Sequence, residues 1–432
     1  SFVPARSFES PPGNMCPLEK GQRITLIVDR LTYGGEAVAS YQDYQVLVQR
    51  GVPGDEVEIE VTSIHDDVVR AEITSVISPS PSRITPDCPA FHEGCGGCQW
   101  LQVDYSQQLV WKRRIVQEIL RNHSELADVT VHEVAGMDDP FYYRNKMVVR
   151  MRGPQDNLRV GFHTPRTKWV IGVFGKDSGE CQIQNELNNR IGRGLAGSLS
   201  KERRPLKSAT VRSSDNDEVN LDLDRKLAKA IGADLQGIGQ QSDCVHYSVL
   251  GHRFRVTSPS FFQANTRQTS VLIQSVLDML PQERMRVAID VYCGVGLFTL
   301  FLAQMAERVY GIEESHRAIA DAEHNANNAG LSNIEFLREK AENALPSVTA
   351  TADGVDLIMV DPPRSGCDSE VLTTIAQCKP VQIIYVSCNV ETLTRDLILL
   401  QDLGYRTAEI QPVDMFPHTY HIECVARCEK AT

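Results

Sequence analysis

Val287-Ala-Ile-Asp290-Val-Tyr292-Cys-Gly294-Val-Gly296-Leu-Phe298 is the stretch on which the fold turns. An apolar run of strand length enters a glycine-rich turn, and apolar residues then resume at helical spacing. This predicts a helix over Leu297–Arg308. Glycines at such a turn let a nucleotide-like ligand approach the backbone and the helix N-terminus. The next predicted strand, Val309–Glu313, ends in an acid placed to accept hydrogen bonds from both hydroxyls of a ribose. Asp-x-x-Cys-Gly-x-Gly departs from G-x-G-x-x-G and favours S-adenosylmethionine (SAM) over NAD. From Val287 onward strand and helix patterns alternate, which reads as a parallel α/β sheet.

Two further strands of this region end in reactive groups. Asp356-Leu-Ile-Met-Val-Asp361-Pro-Pro-Arg364 is apolar up to Asp361, where proline stops it. Ile383-Ile-Tyr-Val-Ser-Cys388-Asn389 delivers a thiol to the same carboxyl edge, where α/β sheets bind ligands. Near the end of the chain, Asp414-Met-Phe-Pro-His418-Thr-Tyr-His421-Ile-Glu423 supplies a carboxylate that enclosure could turn into a base. A thiol, a carboxylate and a methyl-donor site suit one reaction. A thiolate adds to C6 of uracil, C5 becomes nucleophilic toward a methyl group, and a base removes the C5 proton so that the thiol leaves.

Upstream, Cys88-Pro-Ala-Phe-His-Glu-Gly-Cys95-Gly-Gly-Cys98 groups three thiols in C-x6-C-x2-C spacing. Cys181, in a loop-like setting, is the best fourth. Four such thiolates suit tetrahedral zinc or a [4Fe–4S] cluster, and spacing does not choose between them. Residues 141–176 carry eight Lys/Arg against one acid, Asp156, with six aromatics interleaved. RNA recognition uses that combination of stacking faces and positive charge; a half-buried sheet with a solvated basic face has the same pattern. Residues 104–122 have helical spacing, and 183–250 are weakly patterned. Residues 21–77 alternate as short strands between turns such as Tyr33-Gly34-Gly35, which predicts a small barrel of the OB type.

Composition sets the limits. The 432 residues correspond to about three domains at roughly 150 residues each. With 42% hydrophobic and 23% charged residues, the chain is neither disordered, collagen-like nor coiled coil. No apolar run reaches the roughly 18 residues of a membrane span, and Ser1–Asn14 lacks a signal-peptide core. A cytoplasmic protein is expected. The net charge of −12 argues against blanket attraction to nucleic acid, so any RNA contact must be local. Twelve cysteines are many for a compartment that keeps thiols reduced, and invite metal or catalytic roles.

Taken in order, these motifs together with Phe261-Phe-Gln263-Ala-Asn265 resemble the SAM-dependent RNA uridine-5 methyltransferases, in particular the iron–sulfur branch that modifies 23S ribosomal RNA. The likeness covers nearly the whole chain. It implies a TRAM-like barrel over 17–78, a central α+β iron–sulfur and RNA-binding domain over 79–257 and a Rossmann-like methyltransferase domain over 258–432. The 104–122 helix would pack on the methyltransferase domain. Cys388 is implied as the nucleophile and Glu423 as the base. Gln263, Tyr292, Glu313 and Asp361 would contact SAM, and Phe261 and Asp361 the flipped uracil. Cys88, Cys95, Cys98 and Cys181 would hold a [4Fe–4S] cluster. The implied partner is RNA, 23S ribosomal RNA first and the T-loop of tRNA as the alternative, with no DNA, no membrane and a monomeric enzyme. A non-catalytic iron–sulfur RNA-binding module is the reading from another class. The chain departs from the family pattern in its x6 gap, at Leu297 and Lys340, and at Val390 after Asn389; none of these removes a catalytic group.

Overall fold

The protein is described from a computed structural model covering residues 16–65, 68–153, 158–175, 179–199, 208–222, 238–351 and 354–431. The N-terminal Ser1–Asn14 segment, Asp156 and Lys176 of the basic stretch lie outside these residues.

The expected barrel is present and closed. Strands β1 (Arg23–Leu31), β2 (Ala37–Tyr41), β3 (Tyr44–Val48), β4 (Glu56–His65) and β5 (Val68–Ser78) run in the order β1-β2-β3-β5-β4, with β4 pairing back on β1. Closure follows from strict alternation. In β4, Val57, Ile59 and Val61 are buried while Glu56, Glu58 and Glu60 face outward. The barrel does not hang free. Its interior, Trp100 and one face of the C-terminal sheet form a single apolar core.

Helix α1 (Pro89–His92) lies in the cysteine segment. Helix α2 (Tyr105–Arg121) starts at Asp104, whose side chain accepts from the Ser106 N–H. The short strand β6 (Thr130–Val131) then adds to the edge of the C-terminal sheet. The basic stretch forms β7 (Lys146–Arg152), β8 (Arg159–His163) and β9 (Val170–Phe174), followed by helix α3 (Glu186–Leu199). The weakly patterned region supplies β10 (Ser208–Ser213), β11 (Glu218–Asp222) and β12 (Gln240–Gln241), completing a sheet of order β12-β11-β10-β7-β8-β9. Periodicity missed these strands because they are short and, like β12, polar.

The hairpin of β13 (Cys244–Val249) and β14 (His252–Thr257) shares an apolar core with helix α4 (Thr266–Asp278) and the C-terminal sheet. A boundary at 258 therefore cuts through one packed unit. The remaining elements are β15 (Met285–Val291), α5 (Leu297–Met305), β16 (Ala306–Ile312), α6 (His316–Asn328), β17 (Ile334–Leu337), α7 (Ala341–Thr351), β18 (Leu357–Val360), α8 (Ser369–Gln377), β19 (Gln382–Ser387), α9 (Val390–Asp402), β20 (Tyr405–Val413) and β21 (Glu423–Lys430). The helix expected to reach Arg308 ends at Met305. Residues 306–308 join β16 instead, because its parallel pairing with β15 begins at Met285↔Ala306.

Sheet order is β17-β16-β15-β18-β19-β21-β20-β6. The chain leaves β15 toward β16 on one side and returns to β18 on the other, opening a crevice at the carboxyl ends of β15 and β18. Strand β21 inserts antiparallel between β19 and β20. Among the described residues no helix is long and apolar enough to cross a membrane.

Candidate active site

The crevice floor is the glycine turn after β15. Gly294 and Gly296 have φ of 56° and 84°, and a Cβ on Gly296 would press on Leu300 and Ala322. Tyr292, without that freedom, also sits at φ 64°, a strained backbone of the kind concentrated at functional sites. Glu313 braces the turn: its carboxylate accepts from Gly294 N at 3.2 Å and Ser315 N at 2.8 Å. Beneath lies Asp290, fully buried, accepting from Thr299 Oγ1 at 2.5 Å while its Oδ1 has no partner. Burial, reinforced by the Glu313 charge, pushes its carboxyl up to about 7. The sequence signal for Asp290 is an acid inside an otherwise apolar strand.

Asp361 follows β18, with its N–H 3.5 Å from Val291 O. Burial and then Asp290 push its carboxyl up to about 7. Gln263 is buried in the β14–α4 loop, which Asn145 fastens by donating to Gln263 O at 3.1 Å and Thr266 Oγ1 at 2.9 Å. In the same loop Phe261 is 65% exposed at the edge of a cavity.

The reactive end is built by register. Cys388 follows β19, and Asn389 caps α9 by accepting from Glu391 N at 3.1 Å. The β19–β21 ladder ends at Ser387↔Cys424, which leaves Cys388 and Glu423 at the same end of the sheet, near enough for their charges to interact. Burial pushes the Cys388 thiol up to about 12, Glu423 and Asp361 add to this, and the Arg364 guanidinium opposes it. Burial and then Asp361 also raise the Glu423 carboxyl well above its usual range, again against Arg364. In the free protein both groups are thus held toward their neutral forms.

The loop before Glu423 is held from outside the sheet. Lys112 on α2 donates to Asp414 Oδ1 at 2.6 Å, both side chains being fully buried, and to Phe416 O at 3.2 Å. Tyr105 donates to Asp414 Oδ2 at 2.9 Å. Gln108 donates to His418 Nδ1 at 3.1 Å and accepts from His418 N at 2.9 Å. His418 stacks on Phe141 at 4.6 Å and takes φ 65°. His421 is pushed down to about 3 by burial and by Arg364 and stays neutral. Gln108 and Lys112 escaped sequence reasoning because they sit on the buried face of an amphipathic helix, one turn apart.

Cys88, Cys95, Cys98 and Cys181 do converge. They line one cavity of about 420 Å³, shared with Arg144, Phe261 and Arg364. Burial raises the Cys98 thiol far above its ordinary value, and the other three cysteines push the same way. Between the last two, Gly96 is required, since a Cβ there would meet His163 O at 2.8 Å, and Gly97 N donates to Cys95 Sγ at 3.4 Å. Among the described residues no three His, Cys, Asp or Glu side chains are grouped to hold a metal ion.

A model of the tRNA (uracil-5-)-methyltransferase family matches residues 243–431, and one of the TRAM domain matches 17–74. An RNA methyltransferase of Halalkalibacterium halodurans is 32% identical over 96% of this chain and 98% of its own length. One of Bacillus cereus is 32% identical over 95% and 97%. Pyrococcus abyssi tRNA (uracil-54, C5)-methyltransferase, solved with S-adenosyl-L-homocysteine, superposes with a TM-score of 0.69 at 22% identity, covering 94% of this chain and 100% of that one; this likeness concerns the fold. With a closed N-terminal barrel, a glycine-turn crevice and relatives alike over almost their full length, the chain belongs to the tRNA (uracil-5-)-methyltransferase family and is a SAM-dependent RNA methyltransferase with a TRAM domain.

Proposed function

We propose that this protein methylates C5 of a uridine in 23S ribosomal RNA through a covalent adduct with Cys388. The reading is supported by the β19–β21 ladder, which ends at Ser387↔Cys424 and leaves Cys388 and Glu423 as neighbouring, interacting groups at the end of the sheet where the SAM crevice opens. Bound SAM supplies an electrophilic methyl group in that crevice. The Cys388 thiolate adds to C6, forming the C6–S bond and making C5 nucleophilic; C5 takes the methyl as the bond from that methyl to the donor's sulfur breaks, leaving the demethylated thioether. Glu423 then takes the proton from C5, the C6–S bond breaks, and the thiolate leaves with 5-methyluridine restored. Its raised carboxyl suits it to hold that proton. In this reading Gln263, Tyr292, Glu313 and Asp361 contact SAM, and Phe261, exposed at the cavity edge, stacks on the extruded uracil.

RNA contact is supported by the outer face of β7, where Lys146, Val148, Arg150 and Arg152 alternate with buried Met147, Val149 and Met151. Arg159 lies 4.4 Å from the Trp169 ring centroid, beside it, giving a cation and a half-exposed stacking face together. The choice of ribosomal RNA over tRNA rests on the resemblance to the iron–sulfur branch of the family. Convergence of four thiols on one cavity supports a [4Fe–4S] cluster. Tetrahedral zinc is its chemical competitor for the same thiols. The enzyme acts as a cytoplasmic monomer.

Methyl transfer to 23S ribosomal RNA and to tRNA transcripts, with Cys388→Ala and Glu423→Gln, tests the reading. Cys388→Ala should be inactive, and Glu423→Gln should accumulate a covalent protein–RNA adduct. Normal methylation by Cys388→Ala would leave only a route without that adduct, and RNA binding without methylation by the unaltered protein would leave an RNA-binding module. Preference for the tRNA transcript would move the substrate to the T-loop. Iron and sulfide content, lost together in Cys98→Ala, tests the cluster.

A further inference from the structure

We infer that Tyr33 of the TRAM barrel is a positioning residue for the methyl-transfer centre, so that the barrel completes the catalytic site as well as flanking it. The inference rests on the reading of Cys388 and Glu423 as nucleophile and base. Tyr33 lies in the turn between β1 and β2, and its hydroxyl crosses to the methyltransferase domain. It donates to Asn389 Oδ1 at 3.2 Å and accepts from Val390 N at 3.3 Å. Asn389 follows Cys388 directly. It caps α9 and also donates from Nδ2 to Arg364 O at 3.1 Å, so one side chain ties the nucleophile turn to the arginine facing the thiol. Tyr33 thus acts on Cys388 through Asn389.

The same ring meets the other reactive segment. Tyr33 packs edge-on against Tyr420 at 6.0 Å, three residues before Glu423. The neighbouring backbone is pressed close: a Cβ on Gly35, at φ 90°, would lie 2.8 Å from Tyr420 Cδ1 and from Gln99 Cγ. Gly35 O accepts from Trp100 Nε1 at 3.1 Å, locking the turn. The phenol is driven up by burial and stays neutral, so it serves as a fixed donor and acceptor and not as a charge. A barrel that only gripped RNA would not need a tyrosine hydroxyl seated on the cap of the nucleophile helix.

The test uses the full-length enzyme and compares Tyr33→Phe, Asn389→Ala and their double variant with Ile27→Ala, a control on the exposed barrel wall. Tyr33→Phe keeps the ring against Tyr420 and removes only the hydroxyl. It should lower kcat about tenfold with RNA KM and SAM affinity unchanged, and change the rate at which iodoacetamide alkylates Cys388. The double variant should be no slower than Asn389→Ala alone, because both remove one link. Ile27→Ala should keep wild-type kcat. Wild-type kcat in Tyr33→Phe, additive losses in the double variant, or an equal loss in Ile27→Ala would each overturn the inference. A Tyr33→Phe whose melting temperature falls while kcat per folded molecule holds would also overturn it, leaving a structural role. Full activity in Cys388→Ala would instead overturn the nucleophile assignment, a distinct outcome.

Discussion

Strand β4 of the barrel and strand β7 of the central sheet follow one rule and give opposite surfaces. Both alternate strictly, with Val57, Ile59 and Val61 buried in one and Met147, Val149 and Met151 in the other. Outward, the first shows Glu56, Glu58 and Glu60, and the second Lys146, Arg150 and Arg152. Alternation fixes that each is a half-buried strand and is indifferent to what its open face carries. A net charge of −12 averages the two and describes neither. The two modules also reach the methyl-transfer centre differently. The barrel does so through neutral Tyr33 bonds; the helix leading toward the basic sheet does so through the buried Lys112–Asp414 pair.

The largest effect should come from that second tie. Lys112→Met leaves Asp414 buried without its cation and should cost about 3–5 kcal/mol, read as a lowered midpoint in urea unfolding. A loss below about 1 kcal/mol would mean that the pair is not what fastens the loop. Next, Arg150→Glu with Arg152→Glu should weaken RNA binding and lower the slope of log affinity against log salt by about 2, since two phosphate contacts go. An unchanged slope would remove β7 from the RNA path. Rate should also follow charge at the centre itself. With the Cys388 thiol pushed up to about 12, its reactive thiolate is a minority at neutrality. Single-turnover methylation should therefore rise between pH 7 and 9, by up to about tenfold per unit; a flat profile would contradict the thiolate route. The smallest effect is expected from Glu58→Gln with Glu60→Gln, which should leave RNA affinity the same or about twofold tighter. A loss as large as that of the arginine pair would break the contrast between the modules.

Much of the fold was legible because its signals are local. The glycine turn, the Asp361-Pro-Pro stop and the thiol-bearing turn at Cys388 each mark a strand end within a few residues, and all three strands end there. Where local signals were weak the reading failed. Residues 306–308 looked like the tail of a helix and became a strand through pairing with β15. Strands β10 and β11 alternate but are only 6 and 5 residues long, and β12 is 2 glutamines, so none stood out from its polar surroundings. The site was legible in its reactive groups and not in their supports. A thiol or carboxylate at a strand end is conspicuous. Gln108 and Lys112 on a helix face, and Tyr33 in a Gly-Gly turn, read as ordinary packing and turn chemistry.

By itself, then, the sequence determined which strands exist in the methyltransferase domain, which residues end them and which charges each surface stretch carries, because propensity, turn chemistry and alternation act over a few residues. Only the tertiary structure decided who meets whom. Strand β21 enters between β19 and β20 and brings Glu423 to Cys388; α2 crosses 302 positions to hold Asp414, and the barrel 356 to hold Asn389. Such meetings are fixed by strand register and by the burial of a shared core, and no local pattern encodes either.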